Sequence, residues 1–271
     1  PYTAGAYNGL LPTDVGTKLY FPGLYNNYYG FYSEMVIQNT SSLVANISIQ
    51  FYGKTGAPEG APYTHVIPVG ASAVFTLSEL FPALPSGNSA TYSATVTSDV
   101  AIGGIANTWS AYMHGEYATY NGSADGALEA YVPSLLNKYY GFQTALSIQN
   151  VDTAPATVTV TYSNGHTVTK TIDPNTKAEL IQPNDPDLPS GNTLGIFSAK
   201  VVSDKKIIAL VNVEDKLKGS LASWNASPIA SNDVLCSVVM REYYKWFTAE
   251  TVMNAGSTQA DVTITYSDGK T

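Results

Sequence analysis

One feature constrains this chain more than any other: it says the same thing almost three times. The stretch "NNYYGFYSEMVIQN" (26–39) returns as "NKYYGFQTALSIQN" (137–150) and as "REYYKWFTAETVMN" (241–254). Residues 20–53 shifted by 111 match 131–164 with 12 of 34 identities and no gap. Residues 139–167 shifted by 104 match 243–271 with 13 of 29. The back halves agree as well: "LPSGN" occurs at 84–88 and 188–192, and Ser98-Asp99 meets Ser203-Asp204. A catalytic site is normally built once, whereas a packing unit can be built many times.

The repeat divides the chain. Residues 1–18 read as an arm resembling the tail of a preceding unit, since "AYNG" (6–9) resembles "TYNG" (119–122). Residues 19–118 form the first repeat, 119–129 a linker, 130–230 the second repeat, and 231–271 the front of a third. The chain is therefore expected to be a window on a longer array. Strand donation between subunits is the second expectation, because an open half-sandwich leaves sheet edges to fill.

Within a unit the signal is β. "ISIQF" (47–51), "VTVTY" (158–162) and "VTITY" (262–266) alternate apolar with polar residues, as a strand with one buried face does. "SNGHT" and "SDGKT" set Asn-Gly or Asp-Gly between such runs, a hairpin signal. "VAIGGIA" and "IIALVNV" are continuously apolar, as for a strand covered on both faces. About seven short strands per unit predict an all-β chain. The fold class is two tandem Ig-like antiparallel β-sandwich domains plus a partial third repeat.

The repeated aromatics then read as a corner brace: Tyr28, Tyr29, Phe31 and Asn39; Tyr139, Tyr140, Phe142 and Asn150; Tyr243, Tyr244, Trp246 and Asn254. Alternation puts one tyrosine of each pair inward and one outward. Gly30 and Gly141 suggest a left-handed turn, though Lys245 holds that place in the third copy. The closing asparagine is expected to bond its own loop in an Asx-type turn. A stacking platform for sugars is the functional alternative.

Composition narrows the partners. Charged residues are only 13% of the 271, against twenty tyrosines, so the surface repels its neighbours weakly. A net charge of −8 with no basic run makes nucleic acid a poor partner. No run approaches the roughly 18 apolar residues of a membrane span. The lone Cys236 aligns with Phe21 and Val132 and reads as a small buried hydrophobe, with an intermolecular bridge as the alternative.

Chemistry is sparse. His65, His114 and His166 hold unrelated repeat positions, and no nucleotide-binding, hydrolase or zinc-protease motif occurs. Neither a catalytic residue, a metal nor a cofactor is implied. Asp185 and Asp187 in "NDPDLPSGN" would suit calcium, but the first unit has apolar residues there and a solvated loop is the simpler account. Glu116, Asp125 and Glu129 cluster near the linker; paired carboxylates can hydrolyse glycosides, and a charged linker explains them equally well. Four sequons mark Asn39, Asn46, Asn121 and Asn225 as glycosylation candidates, with Asn121 and Asn225 expected in linkers.

Tandem Thr-rich sandwiches of this size, acidic and nearly free of cysteine, resemble the repeats of microbial cell-surface and extracellular filament proteins. That resemblance is architectural and brings no site residues with it. It implies a secreted structural protein that self-assembles into an extracellular filament, sheath or surface layer. The alternative is an adhesin or carbohydrate-binding stalk module that recognises cell-surface glycans.

Overall fold

The computed structural model describes residues 9–54, 56–111, 116–215, 219–236, 238–243 and 246–270. The first unit contains β1 (Gly16–Tyr28), β2 (Phe31–Asn39), β3 (Ala45–Tyr52), β4 (Tyr63–Ile67), β5 (Ser72–Thr76), β6 (Thr91–Ser110) and β7 (Tyr117–Asn121). The second contains β8 (Ala127–Leu136), β9 (Gln143–Asn150), β10 (Ala156–Tyr162), β11 (Thr167–Ile172), β12 (Lys177–Ile181), β13 (Ile196–Asp215) and β14 (Ser220–Asn225). Helix is confined to single turns.

The two units share one topology, strand for strand. In each, the longest strand, 20 residues, serves two layers of a curled antiparallel sandwich. The first half of β6 lies between β1 and β3, and β4 extends that layer. Its second half lies between β2 and β7, and β5 extends the other layer. β13 does the same with β8, β10 and β11, then with β9, β14 and β12.

The crossover between layers sits on the repeated Ser-Asp pair. Ser98 Oγ accepts the Val100 amide, and Ser203 Oγ accepts the Lys205 amide. Asp99 Oδ1 accepts the Asn46 amide at 2.8 Å, and Asp204 Oδ1 accepts the Thr157 amide at 2.7 Å. Each pair satisfies backbone donors that the ladder abandons where the strand changes layer.

Inward-facing residues of both layers form one core per unit. Leu19, Phe21, Met35, Ile37, Ile49 and Phe75 are buried in the first. Val132, Leu135, Leu146, Ile148, Val160 and Val201 are buried in the second. Each such side chain contributes on the order of 1.5–3 kcal/mol through removed apolar area. Leu210 of β13 joins the first unit's cluster, because the outer face of that strand lies on the first unit. That contact explains the unbroken apolar run of "IIALVNV": Ile207 to Val211 are all buried.

Three expectations need correction. The linker is shorter than 119–129, since β7 runs to Asn121 in the first sheet and β8 begins at Ala127. The run "VTITY" is not a strand: Val262 is 59% and Ile264 40% exposed, whereas their counterparts Val158 and Val160 are buried. Among the described residues no strand pairs with that run, as β11 and β13 pair with β10 in the second unit. For the same reason Cys236 is exposed while Val132 and Phe21 are enclosed. Even so, the third copy keeps its local features, including a short hairpin, β15 (Arg241–Tyr243) with β16 (Trp246–Phe247).

Candidate functional site

The corner is a tight hairpin built the same way in each sandwich. Tyr29 and Gly30 both have positive φ (48° and 85°), as do Tyr140 and Gly141 (51° and 91°). Two consecutive left-handed residues make the two-residue turn whose twist matches the flanking strands. A left-handed tyrosine is costly and glycine is not, which is why glycine fills the second place. A further left-handed residue precedes each pair, at Asn27, Lys138 and, in the third copy, Glu242. There the strand carries a bulge, between Asn26 and Tyr28 and again between Arg241 and Tyr243.

The tyrosines divide as alternation requires, though less sharply. Tyr28 and Tyr139 are half-buried, while Tyr29 and Tyr140 are 60% and 58% exposed. Each pair meets edge to face, with centroids 4.9 Å and 4.8 Å apart. Phe31 and Phe142 close the turn opposite Tyr28 and Tyr139. Tyr244 and Lys245 lie outside the described residues, as do His114 and the side chains of Tyr243 and Trp246.

Two asparagines recur in each unit, one beside the corner and one, against the expectation of a single brace, at the far end of β2 or β9, where it holds the next turn. Asn39 Nδ2 donates to the Leu43 and Ile67 carbonyls at 2.7 and 3.0 Å, and its Oδ1 accepts the Ser41 amide at 2.9 Å. Asn150 repeats this with Ala154, Ile172 and Asp152 at 2.8, 2.8 and 2.9 Å. Asn254 keeps the local half, to Thr258 and Gly256. The second pair, Asn26 and Asn137, sends Nδ2 to the matched carbonyls of Leu84 and Leu188. Their identity was visible in the repeat, yet only the structure shows that they anchor the "LPSGN" loop.

Around the first corner the second unit adds partners. Tyr25 stacks on Tyr28 at 5.4 Å, and its hydroxyl accepts a hydrogen bond from Asn212 Nδ2 at 2.9 Å. Thr91 Oγ1 donates to Glu179 at 3.3 Å, and Ser93 Oγ donates to the Asn175 carbonyl at 2.7 Å. Gly23 leaves room for Leu210, whose Cδ2 would stand 2.6 Å from a β-carbon there. The Lys177–Glu179 ion pair (3.0 Å) lies enclosed at the centre, with Lys177 Nζ 5.3 Å from the Tyr25 ring centroid. Burial favours a neutral Glu179, but the ammonium beside it overrides that and holds the carboxyl below its ordinary range. Burial and the Glu179 charge together push the Tyr28 phenol up to about 12.

Where the units diverge they leave a cleft of about 400 Å³. Tyr28, Tyr29 and Phe31 form one wall; Gln143, Asn184 and Glu214 lie on the other. An exposed phenol face opposite amides and a carboxylate can stack a pyranose ring and bond its hydroxyls.

The remaining candidates stay dispersed. Asp125 pairs with Lys206 (2.7 Å) and Glu129 with Lys200 (3.0 Å), while Glu116 is buried elsewhere. Hydrogen bonds from those lysines lower both carboxyl pKa values. His65 stacks beside Tyr63. Asp185 and Asp187 do meet, but with His166: the three ligand atoms lie within 4.8 Å, and His166 Nε2 already pairs with Asp185 at 2.9 Å. An imidazole is not a ligand that calcium favours. Of the sequons, Asn39 is enclosed, and Asn46 Nδ2 bonds Asp99 at the surface. Asn121 and Asn225 end strands instead of occupying linkers, and Asn225 Nδ2 donates to the Asn121 carbonyl across the unit boundary.

No family model and no curated protein matches the chain. Among solved structures it is similar to the crystal structure of Thermotoga maritima 1070, at 22% identity and a TM-score of 0.30, over 39% of this chain and 90% of that one. It is also similar to the Anabaena sensory rhodopsin transducer, at 22% identity and a TM-score of 0.28, over 32% of this chain and 90% of that one. Neither likeness is close enough to say what this chain does.

Proposed function

We propose that this chain is a structural β-repeat protein that associates with copies of itself into an extracellular filament, sheath or surface layer. The observation that carries the reading is the contact between the two units. The first unit offers β1 and the start of β6; the second answers with β12 and the end of β13. Two units of one topology thus meet through different faces. A contact of that kind is not self-complementary; repeated between copies it builds a ring or, where its rotation does not close, an open array, and the open array is the outcome proposed. Low charge, at 13% of the residues, and the exposed rings of Tyr29 and Tyr140 favour the same outcome. Glycosylation, at Asn46 or Asn121, belongs to this proposal.

Light scattering on the purified chain tests it: assemblies far above 28.8 kDa are expected without any added ligand. The cleft beside Tyr29 favours a second reading, a glycan-binding module. That reading expects a monomer retained on an oligosaccharide column and released by Tyr29→Ala.

A further inference from the structure

The two faces of the inter-unit contact each recur, uncovered, on the other unit. In the contact, Thr91 of β6 meets Glu179 of β12. The residue of β13 matching Thr91 is Ile196, since Thr91 pairs with Tyr25 as Ile196 pairs with Leu136. The residue of β5 matching Glu179 is Val74, since Glu179 pairs with Ser147 as Val74 pairs with Val36. Thr91 is 1% exposed; Ile196 is 40% and Val74 54% exposed.

Both members of a buried polar pair have thus been exchanged together for aliphatic residues, and both aliphatics face outward. A polar pair replaced on one side alone would leave the other partner unsatisfied. Replaced on both sides, it makes an apolar contact of the same geometry. A second pair is kept as it is: Ser93 donates to the carbonyl of left-handed Asn175, and the matched residues are Ser198 and left-handed Gly70. The burial of whole strands follows suit. Residues Leu19 to Asn26 of β1 are buried on both faces, whereas the matching stretch of β8 alternates.

We infer that the second unit of one copy docks on the first unit of a second copy through the faces that match those joining the units within the chain, shifted to admit the β-carbon of Ser134, which stands in the place of Gly23. Ile196 then seats against Val74, and Ser198 donates to Gly70. The inference rests on the self-assembly reading and specifies its contact: head to tail, one face donating and the other receiving, with no isologous pairing.

Ile196→Glu and Val74→Glu test it, with Leu43→Glu, on the exposed β2–β3 turn, as control; thermal melts establish that all three fold. Each of the first two variants is expected to fall from polymer to the single-chain mass, while the control stays polymeric. Each retains one intact face, so mixing Ile196→Glu with Val74→Glu in equal amounts is expected to give a particle of twice that mass and nothing larger. Wild-type polymers that persist in either variant would overturn the docking face while leaving self-assembly intact. Monomeric variants that fail to pair on mixing would overturn the head-to-tail geometry. A monomeric wild type, as when the face serves a further unit of a longer chain, would overturn the assembly reading itself.

Discussion

Asn39 and Asn150 occupy the same point of two separate cores, both fully enclosed, and each ties a β-turn to the end of a neighbouring strand with the same bonds. An amide is needed because the site asks for two donors and one acceptor from one side chain. Asn39→Ala and Asn150→Ala are expected to cost about 2–4 kcal/mol each, since buried carbonyls lose their donors. Asn39→Asp is expected to cost no less, because it buries a charge facing carbonyl oxygens. Urea unfolding reads all three.

The Lys177–Glu179 pair lies in the contact between the units. Glu179→Gln leaves a buried ammonium without its counter-charge and is expected to destabilise by about 3–5 kcal/mol. The double change Lys177→Met with Glu179→Leu is expected to recover most of that loss. Chemical denaturation of both variants beside the wild-type chain checks both.

Tyr25, Tyr28, Tyr92 and Tyr120 all have raised pKa values, chiefly through burial, with Tyr28 and Tyr92 at about 12. An unfolded phenol ionises near 10. Above that pH the unfolded chain has lost protons that the folded chain still holds. The phenols' contribution to stability is therefore level below pH 10 and falls as pH rises toward 12. Absorbance at 295 nm during alkaline titration is expected to show a delayed group of phenols that ionises together with unfolding.

None of the described residues in the front of the third repeat joins either core. A chain ending at residue 230 is expected to unfold within about 0.5 kcal/mol of the full chain, as for loss of exposed surface. Scanning calorimetry of the two chains decides it.

Much of this was legible in the sequence, and the repeat is the reason. Matching Ile37-Gln38-Asn39 with Ile148-Gln149-Asn150 marked a constraint, and the enclosed amide is that constraint. Ser98-Asp99 matched Ser203-Asp204 because a layer crossover needs both groups. The inter-unit contact was hidden for the converse reason. Lys177 and Glu179 align with Ser72 and Val74, so the repeat gives no hint of an ion pair there. Tyr25 likewise aligns with Leu136, and its role depends on Asn212, 187 residues away. The strand expected at "VTITY" failed because alternation reports a face that could be buried, not the presence of something to bury it.

Negative-stain electron microscopy of the purified chain tests the central claim most directly. Unbranched filaments or sheets with a regular subunit repeat, lost on Ile196→Glu, are the expected result. A field of dispersed single particles across concentrations would contradict it.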